Sequence, residues 1–196
     1  MMELLYPVGP APLYPRPSIE HPGRPSVLRG EVFPLVEPSG LVYGQAPREW
    51  CHGGSRALHP VVHLHIVDRE GKVYLQRRSF FKKNLPGYWD SAVGGHVGYG
   101  EQPLEALYRE AAEEIGLQGF TPVPLNRYVW ECERERELVF VYGTVGHPVL
   151  TPDHVEVMDG KWWSVEELDA AMGQGSLTPD FEEEFPRIRT ALLALL

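Results

Sequence analysis

The chain has 196 residues, 43% hydrophobic and 23% charged, which is the make-up of one well-cored domain. A formal net charge of -9 excludes a general nucleic-acid backbone binder, which needs a basic face to displace counterions. Two cysteines, Cys51 and Cys132, are too few for a disulfide scaffold, and the chain has no secretion signal or membrane-length apolar run, so a reducing cytoplasm is the expected setting.

Residues 1–30 carry seven of the nineteen prolines and little apolar periodicity, so they are expected to form an extended arm rather than a helix or central strand. A domain over 31–196 should follow. It opens with a hairpin: residues 32–36, a turn at Pro38, Ser39 and Gly40, then residues 41–44. Residues 59–67 and 72–78 read as strands joined by a turn at Asp68 to Gly71, and a loop through Lys82, Lys83, Pro86 and Gly87 leads to a helix over 103–115. Residues 127–132 and 137–145 are strands. In the second, Leu138, Phe140 and Tyr142 alternate with Val139 and Val141, so both faces are apolar and the strand should be central. A short strand at 161–163, a helix capped by Ser164 with Glu167 at its third position, and a terminal helix over 181–196 complete the pattern. Strands mixed with a few helices make a layered α/β domain.

The helix at 103–115 carries the chemistry. Pro103 fits a first helical position and Gly116 a left-handed stop. At about 100° per residue, Leu104, Leu107, Tyr108, Ala111 and Ile115 form an apolar stripe, while Glu110, Glu113 and Glu114 share a separate arc. Like charges at that spacing repel by roughly 0.2 to 0.5 kcal/mol per pair, and a divalent cation would remove the repulsion.

The same stretch, Gly95 followed by Glu101, Arg109, Glu110, Glu113, Glu114, Gly116 and Leu117, resembles the Nudix box, G-x5-E-x7-R-E-U-x-E-E-x-G-U, with only Ala111 smaller than the usual bulky aliphatic. The resemblance implies a Nudix fold, an α/β/α sandwich with a mixed sheet and the box as a loop-helix-loop. It also implies hydrolysis of a small diphosphate, such as a nucleoside diphosphate derivative, with Mg2+ or Mn2+. By position, Gly95, Glu110, Glu113 and Glu114 would bind the metal, and Arg109 would clamp a carboxylate such as Glu101. Catalytic roles fall to Glu110, Glu114, Arg109 and Glu137, with the general base open between Glu110 and a glutamate outside the box.

The flanks resemble the isopentenyl-diphosphate isomerase branch. Arg77, Arg78, Lys82, Lys83, Pro86, Gly87 and Trp89 match its R-R-x3-K-K-x2-P-G-x-W segment, and the match implies that Arg78 and Lys82 bind substrate diphosphate. Arg69 adds a fifth basic residue nearby in sequence. That branch also holds a metal with three histidines and two glutamates, for which His52, His59, His96, Glu135 and Glu137 are candidates. Imidazole with carboxylate suits manganese, iron or zinc. His63 and His65 can equally be ordinary strand residues. The branch's catalytic cysteine precedes its Gly-His pair, and here Gly94 stands in that place. A glycine cannot move a proton at an allylic carbon.

The leading expectation is therefore a metal-dependent phosphoanhydride hydrolase acting on a small-molecule diphosphate, with no nucleic-acid or membrane partner. An isomerase-like prenyl-diphosphate binder and a non-catalytic ligand sensor stand as alternatives. Tyr88, Trp89, Trp130, Trp162 and Trp163 are either core or a surface for base stacking. The arm and the apolar run 191–196 offer surfaces for a homodimer.

Overall fold

The computed structural model describes residues 30–196, and the proline-rich arm lies outside the described residues. Strands β1 (Val32–Val36) and β2 (Val42–Pro47) form a separate two-stranded sheet. β2 outruns the expected 41–44 because Gln45, Ala46 and Pro47 go on pairing with Pro34, Phe33 and Val32. A helical turn, α1 (Arg48–Trp50), then runs into a π-helical turn over Cys51–Ser55, where Gly54 and Arg56 take positive φ and swing the chain into the main sheet. Nothing in the residue pattern signals this turn, since Gly53 and Gly54 disfavour a helix.

The main sheet holds β3 (Leu58–Val67), β4 (Val73–Arg78), β5 (Trp89–Asp90), β6 (Val93–His96), β7 (Val123–Glu131), β8 (Arg136–Val145) and β9 (Val157–Trp163). Every residue of β3 is buried, as a central strand covered on both faces must be. It runs parallel to β8 along its whole length. Its other edge is divided, with Ile66 and Val67 pairing to β4 and Val61 to Leu64 pairing to β6. The sheet therefore forks between β4 and β6.

Two helical layers cover the sheet. Ala106, Leu107, Ala111 and Ile115 of α2 (Pro103–Ile115) pack on Val62, Leu64, Ile66, Leu138, Phe140 and Tyr142. On the other face, α3 (Val165–Ala171) contributes Leu168, and α4 (Pro179–Leu193) contributes Phe181, Phe185, Ile188 and Leu192, against Val61, Val67, Val139 and Val141. Burying each α4 side chain contributes about 1.5 to 3 kcal/mol. The alternation along β8 thus divides between two cores, and the α/β/α sandwich and mixed sheet are as expected.

Several boundaries shift for tertiary reasons. α4 begins at Pro179 rather than 181, with Thr178 at its N-cap, and stops at Leu193 rather than 196. β7 starts at Val123 because Val123 and Pro124 already pair with Gly143 and Tyr142, and β9 starts at Val157 because it pairs with Arg78. Tyr108, placed on the apolar stripe of α2, is 43% exposed and leans on Phe120 at the helix rim, while Ala106 takes the buried place. Among the described residues, no helix is long and apolar enough to cross a membrane.

Candidate active site

The fork in the sheet is bridged by α2. Gln102 and Glu105 close a capping box at its start, and Gly116 ends it in a left-handed cap at φ 67°. This fixes which carboxylates reach the sheet. Glu114, 3% exposed, points between the two branches, where its Oε2 accepts from Gln76 Nε2 on β4 and from the Gly94 N–H on β6, both at 3.2 Å. Burial pushes its carboxyl up to about 8, against the opposing charge of Lys82. Glu110 lies flat on Gly95, so closely that a β-carbon there would overlap its side chain. Burial raises its pKa as well, against the hydrogen bond and charge of Arg109. Glu113 instead stands at the solvent edge with its side chain 61% exposed. The helix thus brings two of its three arc carboxylates to the fork and leaves the third at the rim.

Arg109 makes the bidentate clamp that the box implies: Nε donates to Glu101 Oε1 and Nη2 to Glu101 Oε2, both at 2.9 Å. It also donates to the His96 carbonyl at 3.0 Å and to Glu110 Oε1 at 2.7 Å. These bonds, Glu101 first, hold its pKa above the usual arginine range. Glu101 in turn accepts from the Gly98 N–H at 2.9 Å, so the glycine loop and the helix are tied at one point.

The basic residues divide. Arg78 reaches Asp90 at 3.1 Å and the Asn84 carbonyl at 3.2 Å, and its buried Nε has no hydrogen-bond partner among the described residues. Lys82 pairs with Glu156 at 3.0 Å and acts electrostatically on Glu114. Arg77 turns away, its guanidinium over Phe80 and Trp89. Arg69 belongs to the β3–β4 turn, at the opposite end of β4 from Arg78, and does not join the basic group.

On the α4 face of the fork the three predicted histidines converge. His52 comes from the π-helical turn, His59 from β3 and His96 from β6, with ligand nitrogens within 4.8 Å of one another. His52 Nδ1 meets Glu135 Oε2 at 3.0 Å, and its Nε2 faces His96 Nε2 at 3.0 Å. Glu137 Oε1 lies 3.9 Å from His59 Nε2 and 4.0 Å from His96 Nε2. His59 Nδ1 is tied to the Ala57 carbonyl at 2.9 Å, which leaves its buried Nε2 as a lone pair with no partner among the described residues. Burial, followed by the neighbouring positive charges, holds His96 well below the usual imidazole range, and burial likewise lowers His59. Phe33 of β1 stacks on His96 at 4.4 Å and closes the cluster from outside. Three imidazoles with ligand nitrogens this close together, with Glu135 and Glu137 beside them, are a donor set suited to a divalent transition metal. Burial pushes Glu137 up to about 8, with His63 opposing.

Strand alternation explains how β6 meets the acidic helix on one face and the imidazole cluster on the other. Gly95 faces α2 and Glu110, whereas Gly94 and His96 face α4. One buried constellation was not read from the sequence. His63 Nδ1 meets Glu184 Oε2 at 3.0 Å, His65 Nε2 meets Glu184 Oε1 at 2.6 Å, and Tyr128 donates to Glu184 Oε2 at 2.7 Å. The available signal was Glu184 itself, a carboxylate set among Phe181, Phe185 and Ile188 on the apolar stripe of α4.

Fold and site together define an α/β protein in which an acidic helix and an imidazole cluster flank one short strand. A model of the NUDIX domain matches residues 57–181, and the chain belongs to the Nudix family. It is similar to the isopentenyl-diphosphate Delta-isomerase of Mycolicibacterium vanbaalenii, 30% identical over 177 residues that span 85% of this chain and 96% of that one. It is also similar to the uncharacterized Nudix hydrolase YfcD of Escherichia coli, 33% identical over 149 residues, 74% of this chain and 79% of that one. Among solved structures, DR0079 from Deinococcus radiodurans matches with a TM-score of 0.72 at 26% identity, covering 81% of this chain and 99% of that one.

Proposed function

We propose that this protein is a divalent-metal-dependent hydrolase that cleaves the phosphoanhydride of a nucleoside diphosphate derivative or a related small diphosphate. The observation that carries the reading is the pairing of Glu110 and Glu114 at the sheet fork, backed by the Arg109–Glu101 clamp. Two carboxylates drawn out of water side by side, with the Gly95 backbone against them, form an oxygen donor set for a hard cation such as Mg2+ or Mn2+. When bound, such an ion screens the charge of a diphosphate and acidifies a coordinated water.

The chain's own residues supply the rest. Arg78, with its unpartnered Nε, and Lys82 hold the phosphate oxygens. Glu114 is only 3% exposed, so Glu110, with its side chain 17% exposed, takes the proton as water oxygen attacks phosphorus and the bridging P–O bond breaks. Arg109 keeps Glu110 and the glycine loop in register throughout. The imidazole cluster would form a second metal centre, with His52, His59, His96, Glu135 and Glu137 as the residues that would hold the ion. Its likeness to the isomerase branch supports a prenyl-diphosphate ligand as the second reading, but Gly94 carries no proton-transfer group there.

A phosphate-release screen tests the reading, with Mg2+ and with Mn2+, over nucleoside diphosphate sugars, ADP-ribose, dinucleotides, nucleoside triphosphates and isopentenyl diphosphate. Turnover that vanishes in Glu114→Gln supports it. Silence over the whole panel with tight binding of isopentenyl diphosphate overturns it in favour of the second reading.

A further inference from the structure

Gln76 lies on β4 at the fork of the sheet, 3% exposed, and its two amide atoms are treated differently. Nε2 donates to Glu114 Oε2 at 3.2 Å, whereas Oε1 is buried and has no hydrogen-bond partner among the described residues. The opposite amide orientation would set Oε1 against an ionised Glu114 carboxylate, so the bond to Glu114 fixes which atom is left over. A buried acceptor with nothing to accept forfeits its hydration, so the working protein must bring a proton donor or a cation to it. Two residues further along the strand, on the same face, Arg78 Nε is a buried donor without an acceptor among the described residues. β4 thus presents one acceptor and one donor on the side that faces the carboxylates of α2.

We propose that Gln76 is a catalytic residue of this site, its Oε1 accepting a hydrogen bond from the water that attacks phosphorus and so aiming that water at the bond to be broken. The proposal rests on the reading of the protein as a diphosphate hydrolase, and it adds to that reading the group that orients the nucleophile.

Three kinds of group meet at a phosphoanhydride held by a cation, and they suit Gln76 Oε1 unequally. An ionised diphosphate oxygen is an acceptor, which fits Arg78 Nε and repels Gln76 Oε1. A cation on Glu114 would take Oε1 of that carboxylate, because Oε2 already receives the Gln76 and Gly94 N–H groups, and this is the oxygen turned away from the Gln76 amide. Water alone of the three has a proton to offer. In the step, the water oxygen bonds to phosphorus, the bridging P–O bond breaks with its electron pair on the leaving phosphate, and the proton passes to Glu110. Gln76 gains and loses nothing, which is the role open to an amide with no titratable group. Its anchor on Glu114 ties the direction of that hydrogen bond to the helix that carries the base.

The test compares wild type, Gln76→Met, Gln76→Glu and Glu114→Gln in steady-state hydrolysis of ADP-ribose, UDP-glucose and ATP, with Mn2+ affinity measured separately by calorimetry. Methionine has the reach of glutamine but no oxygen, and glutamate keeps an acceptor oxygen in place. At saturating Mn2+ the kcat of Gln76→Met should fall about 100-fold, the effect of a misplaced reactant, while KM stays within about threefold. Gln76→Glu should stand at least about tenfold above Gln76→Met in kcat. Mn2+ binding by Gln76→Met should weaken by no more than about tenfold, since the Gly94 N–H still holds Glu114. Wild-type kcat regained at saturating Mn2+, Mn2+ affinity weakened more than about 100-fold, or equal kcat in the two Gln76 variants overturns the proposal, because each would make Gln76 only a support for Glu114. Turnover lost in Glu114→Gln but intact in Gln76→Met overturns this proposal and leaves the hydrolase reading standing. Wild type that binds Mn2+ and turns over none of the three probes overturns both.

Discussion

The Glu114 carboxylate and the Gly94 N–H are joined at 3.2 Å across the fork of the sheet. Because β6 leaves β4 unpaired at this point, the Gly94 amide has no strand neighbour on that side and α2 supplies the acceptor. A glutamate of the family box thus serves as a backbone partner as well as a candidate metal ligand. The helix and the two branches of the sheet are held by one carboxylate.

This double role makes metal binding depend on pH. Burial raises Glu114 to about 8, so below that value a proton occupies the carboxyl and must leave before a cation can bind. Apparent Mn2+ affinity should rise up to about tenfold per pH unit between pH 6 and 8 and then level off. In the metal-free chain the sign reverses. A carboxyl whose folded pKa is raised contributes stability that is lost as pH rises through about 8. Calorimetric Mn2+ titrations of wild type and Glu114→Gln check the first part, and metal-free thermal melts of both over the same pH range check the second. A slope that survives in the variant would place the titrating group elsewhere.

Gly95→Ala separates the site from the fold. The new β-carbon would overlap the Glu110 side chain, which can swing off but then leaves the fork. Turnover should fall by about 100-fold or more, in the range seen when a catalytic group is misplaced. The melting temperature should move by no more than about 3 °C, since the nearest atoms that have to shift all belong to the Glu110 side chain. Near-normal activity in this variant would mean that Glu110 is not held where the site needs it.

What the sequence made legible follows from how local each signal is. The box helix, its Pro103 start, its Gly116 stop and the Arg109–Glu101 clamp all rest on spacing within one segment, and periodicity reports such features well. The paired apolar faces of β8 were equally readable from alternation. Strand β6 was not, because two of its four residues are glycines with low strand propensity, and its place comes from pairing with β3. Arg69 was misgrouped because nearness in sequence hid the length of β4 between it and Arg78. The Glu184 network joins residues more than fifty positions apart, a relation that no single-segment pattern contains.

Glu184→Ala should be among the most destabilising single changes in the molecule. It removes the acceptor shared by His63, His65 and Tyr128, all on or against the inner face of α4. Removing one partner of a buried ion pair costs about 3 to 5 kcal/mol, and for a domain of this size that lowers the melting temperature by roughly 6 to 20 °C. Glu184→Gln should recover part of the loss, because the amide oxygen still accepts. Differential scanning calorimetry of the two variants reads the effect, and a drop of under about 2 °C for the alanine would show the network to be dispensable.

His59→Ala addresses the imidazole cluster without touching the carboxylates of α2. His59 is fully buried, its Nδ1 is oriented by the Ala57 carbonyl and its Nε2 is aimed at the meeting point of His52, His96 and Glu137. An orientation fixed by a carbonyl on the far nitrogen is what a neutral imidazole ligand requires, and the lowered pKa of this ring keeps it neutral near pH 7. Wild type prepared with Mn2+ or Zn2+ and dialysed should retain metal at this centre, while His59→Ala should lose it by about 10-fold to 100-fold in affinity. The Mg2+ or Mn2+ proposed to act at Glu110 and Glu114 should bind as before. Elemental analysis of the dialysed proteins measures the first effect and calorimetry the second. Equal metal content in wild type and variant would show that the three rings pack against Phe33 as a structural stack rather than a metal centre.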